Sequence, residues 1–280
     1  MSYTSFIKNA LTEDIGPGDY STLASIDLHA AGKAVLKVKD KGILAGIKVA
    51  EEIFRYLQPD VRINVFLADG SKIQPGDIAF EMEAKTHTIL SGERLALNCL
   101  QRMSGIATLT HMFVEKIKHT NAKILDTRKT TPLFRQLEKD AVVIGGGYNH
   151  RFGLYDMVML KDNHIDFCGG IEKAVRKTKR YLEEYQLDLK IEVETRTIED
   201  IREVLQVGDV DRIMLDNFTP ELMKEGISLI SGRIETEASG GINLDNIVSY
   251  AETGVDYISI GALTHQAQSL DLSLKAVKEE

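Results

Sequence analysis

The chain has 280 residues, 43% of them hydrophobic and 27% charged, with 22 Gly and 5 Pro. This composition excludes disordered and fibrous classes, and the length fits one α/β barrel or two unequal domains. A net charge of −8 excludes bulk attraction to DNA or to an anionic membrane, so any anion site must come from a local cluster of cations.

The two cysteines, Cys99 and Cys168, offer neither a disulfide framework nor metal-ligand spacing, which suits a reducing compartment. No secretory pattern opens the chain, and no apolar run approaches the roughly 20 residues of a spanning helix. A cytoplasmic protein is expected.

In chain order, "KAVLKVKDKGILAGIKVAEEIFRYL" reads as strand, Gly turn, strand and helix. "RINVFLADGSKIQPGDIAFEMEAKTH" alternates around Asp69-Gly70 and Pro75-Gly76, the pattern of a hairpin. "PGDIAFEMEA" shares features with a biotinyl or lipoyl carrier hairpin, but the carrier lysine is absent from its Glu-Met-Glu turn. A small α+β domain is the better reading. From Ser91, taken as an N-cap, the pattern turns helical. Leu95, Asn98, Cys99, Arg102, Ile106, Leu109 and Phe113 fall at spacings of three and four, one face of a long helix or of two linked ones.

Six short apolar segments follow: "KILDT", "DMVML", "KIEVE", "RIMLD", "IETEAS" and "YISIG". They recur at intervals of roughly 22 to 34 residues, and most are separated by helical patterns. This alternation predicts βαβ units and a parallel sheet. A closed or nearly closed α/β barrel is favoured over an open doubly wound sheet. No G-x-G-x-x-G follows an early strand and no G-x-x-x-x-G-K-[ST] occurs, so both nucleotide-loop readings are weak.

Barrel active sites lie at the C-terminal ends of the strands. Here those ends carry Asp126, Arg128 and Lys129; Lys161, Asp162 and Asn163; Glu192 and Glu194; Asp216 and Asn217; Ser239, Gly240 and Gly241; and Gly261. Each set directly follows buried apolar residues, so its charges need partners or a charged ligand. Cations occupy the first two ends and carboxylates the third and fourth. Gly and Ser occupy the last two, where helix starts, one capped by Asn243, would form a phosphate corner. His150 and Arg151 follow the glycines Gly145 to Gly147. Segment 126–164 has six Lys/Arg against five Asp/Glu, so the argument rests on placement and not on bulk charge. Arg offers a carboxylate a bidentate fork, Lys and His point contacts. A ligand with two carboxylates would occupy such a cluster well. Carboxylates beside a phosphate corner suit ribose hydroxyls, or Mg²⁺ held partly by phosphate oxygens.

"TEDIGPGDYST", "GERLALNCLQRMSGIAT", "DTRKTTP", "GGGYNHRFGLYDMVMLKDNHI", "EVET", "LDNF", "SGGIN" and "TGVDYISIGALTH" together resemble the quinolinate phosphoribosyltransferase family over nearly the whole chain. The resemblance implies an N-terminal α/β sandwich domain (residues 1–110, joined by the C-terminal tail, about 266–280) and an incomplete barrel of about six to seven parallel strands (111–265). It implies transfer of phosphoribosyl from phosphoribosyl pyrophosphate to quinolinate with loss of CO₂, a step of NAD synthesis. Mg²⁺ and a homodimer with shared active sites are implied with it. Quinolinate binding carries over to Arg94, reaching in from the neighbouring subunit, and to Arg128, His150, Arg151 and Lys161. Phosphoribosyl pyrophosphate binding carries over to Lys129, Glu194, Asp216, Ser239, Gly240 and Gly261. Within that set Lys129, Glu194 and Asp216 are the expected catalytic residues, and Glu194 and Asp216 the expected metal carboxylates. Two other readings are a lyase using Lys161 as a Schiff-base lysine, and a paralogue devoted to another nucleotide-like ligand, such as those associated with molybdenum uptake.

Overall fold

The structure is a computed structural model, and it describes residues 3–277. The chain divides into two compact units. One takes in the chain up to His111, Thr130–Gly146 and the chain from Leu263; the other is Met112–Lys129 with Gly147–Ala262. Segment 130–146 therefore groups with the N-terminal unit, although it falls within the 111–265 span expected for the barrel domain. The first two residues of the chain and the last three of the expected tail lie outside the described residues.

In the first unit, α1 (Tyr3–Ile15) and α2 (Tyr20–Ser25) precede β1 (Ala31–Val38), β2 (Gly42–Ile43) and α3 (Ile47–Leu57). Then come β3 (Arg62–Val65), β4 (Lys72–Ile73), β5 (Ile78–Lys85) and α4 (Thr86–Ile117), the last running on into the second unit. Helix α3 is amphipathic, burying Ile47, Val49, Ala50, Ile53 and Phe54, one stripe at helical spacing. Asp69 does not tip a hairpin. Its Oδ1 accepts from Ile47 N at 2.8 Å and caps α3. β3 pairs antiparallel with β5, while β4 turns aside to pair with β2.

The helix begins at Thr86, five residues before the expected Ser91, and is a single element. Ser91 lies inside it and donates its hydroxyl to Asp19 at 3.2 Å. Gly105, mid-helix, is needed because a Cβ there would meet Gln268 O at 2.0 Å.

α5 (Arg135–Ile144) opens the second stretch of the chain, after β6 (Lys123–Leu125). Its Glu138 is fully buried and accepts from Arg102 Nη2 at 2.9 Å and from Thr131 N at 3.0 Å. A buried carboxylate in this position needs those partners.

The second unit holds β6, β7 (Val158–Leu160), α6 (Asp162–Cys168), α7 (Ile171–Glu184), β8 (Ile191–Thr195) and α8 (Ile198–Val207). β9 (Arg212–Asp216), α9 (Pro220–Ile230), β10 (Glu235–Ser239), α10 (Ile247–Ala251) and β11 (Tyr257–Ser259) complete it. All six expected strands are present. Their order is β6-β11-β10-β9-β8-β7, and every pairing is parallel. This is the order of an α/β barrel opened between its first and second strands. The free edge of β6 is partly covered by Tyr148, which bridges Leu125 and donates its N–H to Ile124 O at 2.8 Å. Such cover removes an exposed edge without closing the sheet. α11 (Ala262–His265) leads back to the first unit. There β12 (Leu272–Ala276) pairs antiparallel with β1, giving a four-stranded sheet in the order β12-β1-β5-β3. Among the described residues, no helix is long and apolar enough to cross a membrane.

Candidate active site

Residue alternation decides what the β8–β10 strands turn inward. Register aligns Glu192 with Arg212, Glu194 with Met214, and Glu237 also with Met214; Ser239 aligns with Asp216. Successive side chains alternate faces, so Glu192 and Glu194 share a face with Arg212, Met214, Asp216, Glu235, Glu237 and Ser239. Barrel interiors are usually filled by branched aliphatics. This one carries charge.

At the carboxyl ends of these strands lies a cavity of about 340 Å³. Its walls are Thr127, Arg128, Lys129, His150, Arg151, Met159, Lys161, Met214, Glu237, Ser239 and Ser259. Six of these are expected site residues: Arg128, Lys129, His150, Arg151, Lys161 and Ser239. Glu194 lies beside the wall, its Oε2 3.3 Å from Lys161 Nζ. Asp216 ends β9 next to Ser239 of β10. Arg94 is exposed on α4 and is not among the lining residues.

The cations are crowded. Burial, then the neighbouring charge of Arg128, lowers the pKa of the Arg151 guanidinium. Arg151 Nη1 donates to Met157 O at 3.1 Å. Among the described residues no carboxylate lies within ion-pair distance of Arg128, which is exposed. Two guanidiniums raising each other's energy make a wall that an anion relieves. Lys161 is half-exposed and ion-paired, not enclosed in the apolar surroundings that an amine nucleophile uses.

Asp126 is fully buried. Its Oδ1 accepts the backbone N–H of His150 at 2.9 Å. His150 Nε2 lies 3.1 Å from Glu192 Oε2 and 3.2 Å from Glu237 Oε2, and both carboxylates are fully buried. It is aligned squarely with neither. Burial lowers the imidazole pKa, but the two carboxylates outweigh it and by charge would lift it to about 9. The backbone of Arg151 opposes them, because its N–H donates to His150 Nδ1 at 2.6 Å. A doubly protonated ring cannot accept there. A ring with a single proton on Nε2 would satisfy both ends. Burial, then the charge of Glu237, raises the pKa of Glu192. Glu237 is buried too, yet His150 and Arg212 hold its pKa down.

These three side chains place a donor atom each within 4.8 Å of the others, a spacing that a metal could use. Arg212 Nη1 already donates to Glu237 at 3.0 Å, and the adjoining wall is cationic, so the cluster is a poor cation site. Glu194 and Asp216 end neighbouring strands and offer only hard oxygen donors, the set that Mg²⁺ takes together with phosphate.

At the carboxyl end of β10, Gly240 has φ +97°, and a Cβ there would fall 2.2 Å from Asn217 Oδ1. Only glycine fits. Asn217 N in turn donates to Ser239 O at 2.8 Å. Asn243 does not cap α10 itself. Its Oδ1 accepts from Asp245 N at 2.9 Å and Asn246 N at 3.3 Å, heading the turn that leads into a helix of five residues. Gly261 follows Ile260, whose N–H donates to Leu125 O at 3.0 Å.

Glu237, Met159, Met214, Thr127 and Ser259 also line the cavity and were not singled out from sequence. The Glu-x-Glu-x-Ser alternation of β10 was the available signal for Glu237. Apolar methionines on a strand read as core.

A polar cavity at the carboxyl ends of parallel strands, cations on one wall and carboxylates beside it, defines an α/β-barrel enzyme for anionic substrates. The comparisons narrow that class. The sequence pattern described as "Quinolinate phosphoribosyl transferase, C-terminal domain" matches residues 106–275, and its N-terminal domain counterpart matches 19–104. The chain belongs to the quinolinate phosphoribosyl transferase family. It is 45% identical over 284 residues to the mitochondrial quinolinate phosphoribosyltransferase [decarboxylating] 2b of Nicotiana tabacum, covering 96% of this chain and 80% of that protein. It is 44% identical over 262 residues to the probable nicotinate-nucleotide pyrophosphorylase [carboxylating] of Bacillus subtilis, covering 94% and 89%. The crystal structure of NadC from Streptococcus pyogenes superposes with a TM-score of 0.92 at 40% identity, over 98% of this chain and 97% of that one.

Proposed function

We propose that this enzyme transfers phosphoribosyl from phosphoribosyl pyrophosphate to quinolinate and releases pyrophosphate and CO₂. The observation that carries the reading is the cation wall: Arg128, Lys129, Arg151 and Lys161 line one cavity of about 340 Å³. A pyridine with two adjacent carboxylates matches such a wall, and Met159 and Met214 supply the apolar surface that a flat ring uses.

Arg128, Arg151 and Lys161 hold the two carboxylates, with His150 at their side. Held this way, the ring nitrogen faces C1 of the ribose. Lys129 meets the pyrophosphate, and Ser239, Gly240 and Gly261 form the phosphate end. Glu194 and Asp216 hold the ribose and bind Mg²⁺, which neutralises pyrophosphate charge when bound. The C1–oxygen bond to pyrophosphate breaks and the bond to nitrogen forms. Positive charge on C1 develops next to carboxylates, an electrostatic stabilisation. The ring nitrogen is then cationic. Its positive charge stabilises the electron pair left on the adjacent ring carbon as the carboxylate there departs as CO₂, and a proton from solvent bonds to that pair. No covalent enzyme intermediate is needed, and most of the acceleration comes from positioning and charge.

We further propose a homodimer in which Arg94 of one subunit completes the site of the other. The support is the family resemblance together with an exposed Arg94 that is not part of the cavity wall. Cytoplasmic residence is the matching proposal, supported by two unpaired cysteines.

The test is turnover of quinolinate with phosphoribosyl pyrophosphate and Mg²⁺. One CO₂ and one pyrophosphate per nucleotide is the expected result. Absence of CO₂ among the products would overturn the reading.

A further inference from the structure

The cavity floor contains an arrangement that substrate binding alone does not require. Glu192 and Glu237 are fully buried, and the His150 side chain is only 4% exposed. Behind Glu237 stands Arg212, which donates to Glu237 Oε2 at 3.0 Å and to Glu235 Oε2 at 3.2 Å. Its guanidinium lies 4.0 Å from the centroid of the Tyr257 ring, and Tyr257 donates its hydroxyl to Glu235 at 3.1 Å. Both oxygens of Glu192 and one of Glu237 lack an aligned hydrogen bond. Burying such groups is costly, and apolar residues would fill the same layer more stably.

His150 is engaged on every polar side. Its backbone N–H goes to Asp126 and its Nε2 faces the two carboxylates. Its Nδ1 accepts from Arg151 N. Which nitrogen of a histidine carries the proton is set by what the other one meets. Two carboxylates at Nε2 demand a donor there. A donor at Nδ1 demands a bare nitrogen. The two ends agree on one tautomer.

We propose that Glu192 and Glu237, with Arg212 behind them, are positioning residues that fix the His150 ring with its proton on Nε2, making Nδ1 the acceptor that holds the main chain at Arg151. The buried carboxylates thus act through His150 on the placement of a cavity cation. Without them the ring proton is released to either nitrogen. In the Nδ1–H form the ring repels the Arg151 N–H, and the loop loses the contact that sets where that guanidinium starts. The consequence for catalysis rests on the quinolinate reading above; the tautomer does not.

The experiment pairs a spectrum with kinetics. In uniformly ¹⁵N-labelled wild-type protein at neutral pH, ring-nitrogen NMR is expected to show His150, assigned by the loss of its signals in H150N, protonated on Nε2 and bare on Nδ1. Glu192→Gln and Glu237→Gln, with unfolding midpoints measured alongside, are expected to raise the quinolinate KM by about tenfold. The KM for phosphoribosyl pyrophosphate should stay within about twofold, since a positioning role is confined to one substrate. A ring averaged between tautomers or protonated on both nitrogens overturns the proposal. So does an unchanged quinolinate KM in folded variants, or an equal rise for both substrates. A stoichiometric metal ion bound by wild type and lost in Glu192→Gln also overturns it, since Nε2 would then be a ligand atom. If wild type turns over no quinolinate, the substrate reading fails, and the spectrum still decides the tautomer.

Discussion

Single side chains set the chemistry of the cavity, and Arg128 is the most exposed test of it. It lines the cavity without a carboxylate partner among the described residues. Removing one charged partner of a bound carboxylate costs about 2–5 kcal/mol. Arg128→Ala is therefore expected to weaken quinolinate binding by that amount in a calorimetric titration, with the fold unchanged. Unaltered affinity would remove Arg128 from the binding wall. Gly240 tests the phosphate end. Its φ of +97° and the 2.2 Å approach to Asn217 Oδ1 leave no room for a side chain. Gly240→Ala should lower stability by about 1–3 kcal/mol, read as a shift in the denaturant midpoint. A variant as stable as wild type would mean that the 240–241 turn rearranges freely.

At the scale of elements, the sequence was most legible where one environment acts on every residue. Strands β6, β7, β9 and β11 read as apolar runs with polar ends, and β8 and β10 alternate apolar and small residues with glutamates; the cavity lies at the carboxyl ends of this set. Glu237 escaped notice because it sits inside β10 and not at its end. Asp69-Gly70 looked like a hairpin tip, but Asp69 spends its carboxylate on the first turn of α3, a contact with a partner 22 residues away. Local pattern cannot show such a partner. The start of α4 was missed for a related reason: Ser91 has cap chemistry, yet it uses its hydroxyl on Asp19, 72 residues away. Asp19 itself caps α2, accepting from the Thr22 hydroxyl at 2.5 Å and from Thr22 N at 3.1 Å, and these hydrogen bonds, the hydroxyl's first, lower its pKa below the usual 3.8. Asp19→Ala should cost about 1 kcal/mol. Because the folded pKa is the lower one, the carboxylate's contribution is complete above the ordinary value of 3.8 and fades as pH falls through the folded value. Thermal melts of both proteins should converge in acid; a gap that persists at the lowest pH would deny the carboxylate its capping role.

For the whole molecule, the sheet order explains how one chain builds a site at an open barrel. The sheet opens between β6 and β7, and Arg128, Lys129, His150, Arg151 and Lys161 come from the segments that flank that opening. Arg94 belongs to the other unit, and its proposed role requires a second subunit. Mixing Arg94→Ala with Lys129→Ala, each inactive alone, should restore activity as mixed dimers form, because one of the two sites then has all its residues. No recovery after subunit exchange would place Arg94 outside the shared site.

The claim on which all of this depends is that the cation wall holds two carboxylates and not one. The most direct measurement is an end-point assay with phosphoribosyl pyrophosphate and Mg²⁺ that compares quinolinate with nicotinate, which lacks the second carboxylate. Turnover of quinolinate alone, with stoichiometric CO₂, is the expected result. A preference for nicotinate would contradict the account, since the second carboxylate would then have no partner in the wall built by Arg128, Arg151 and Lys161.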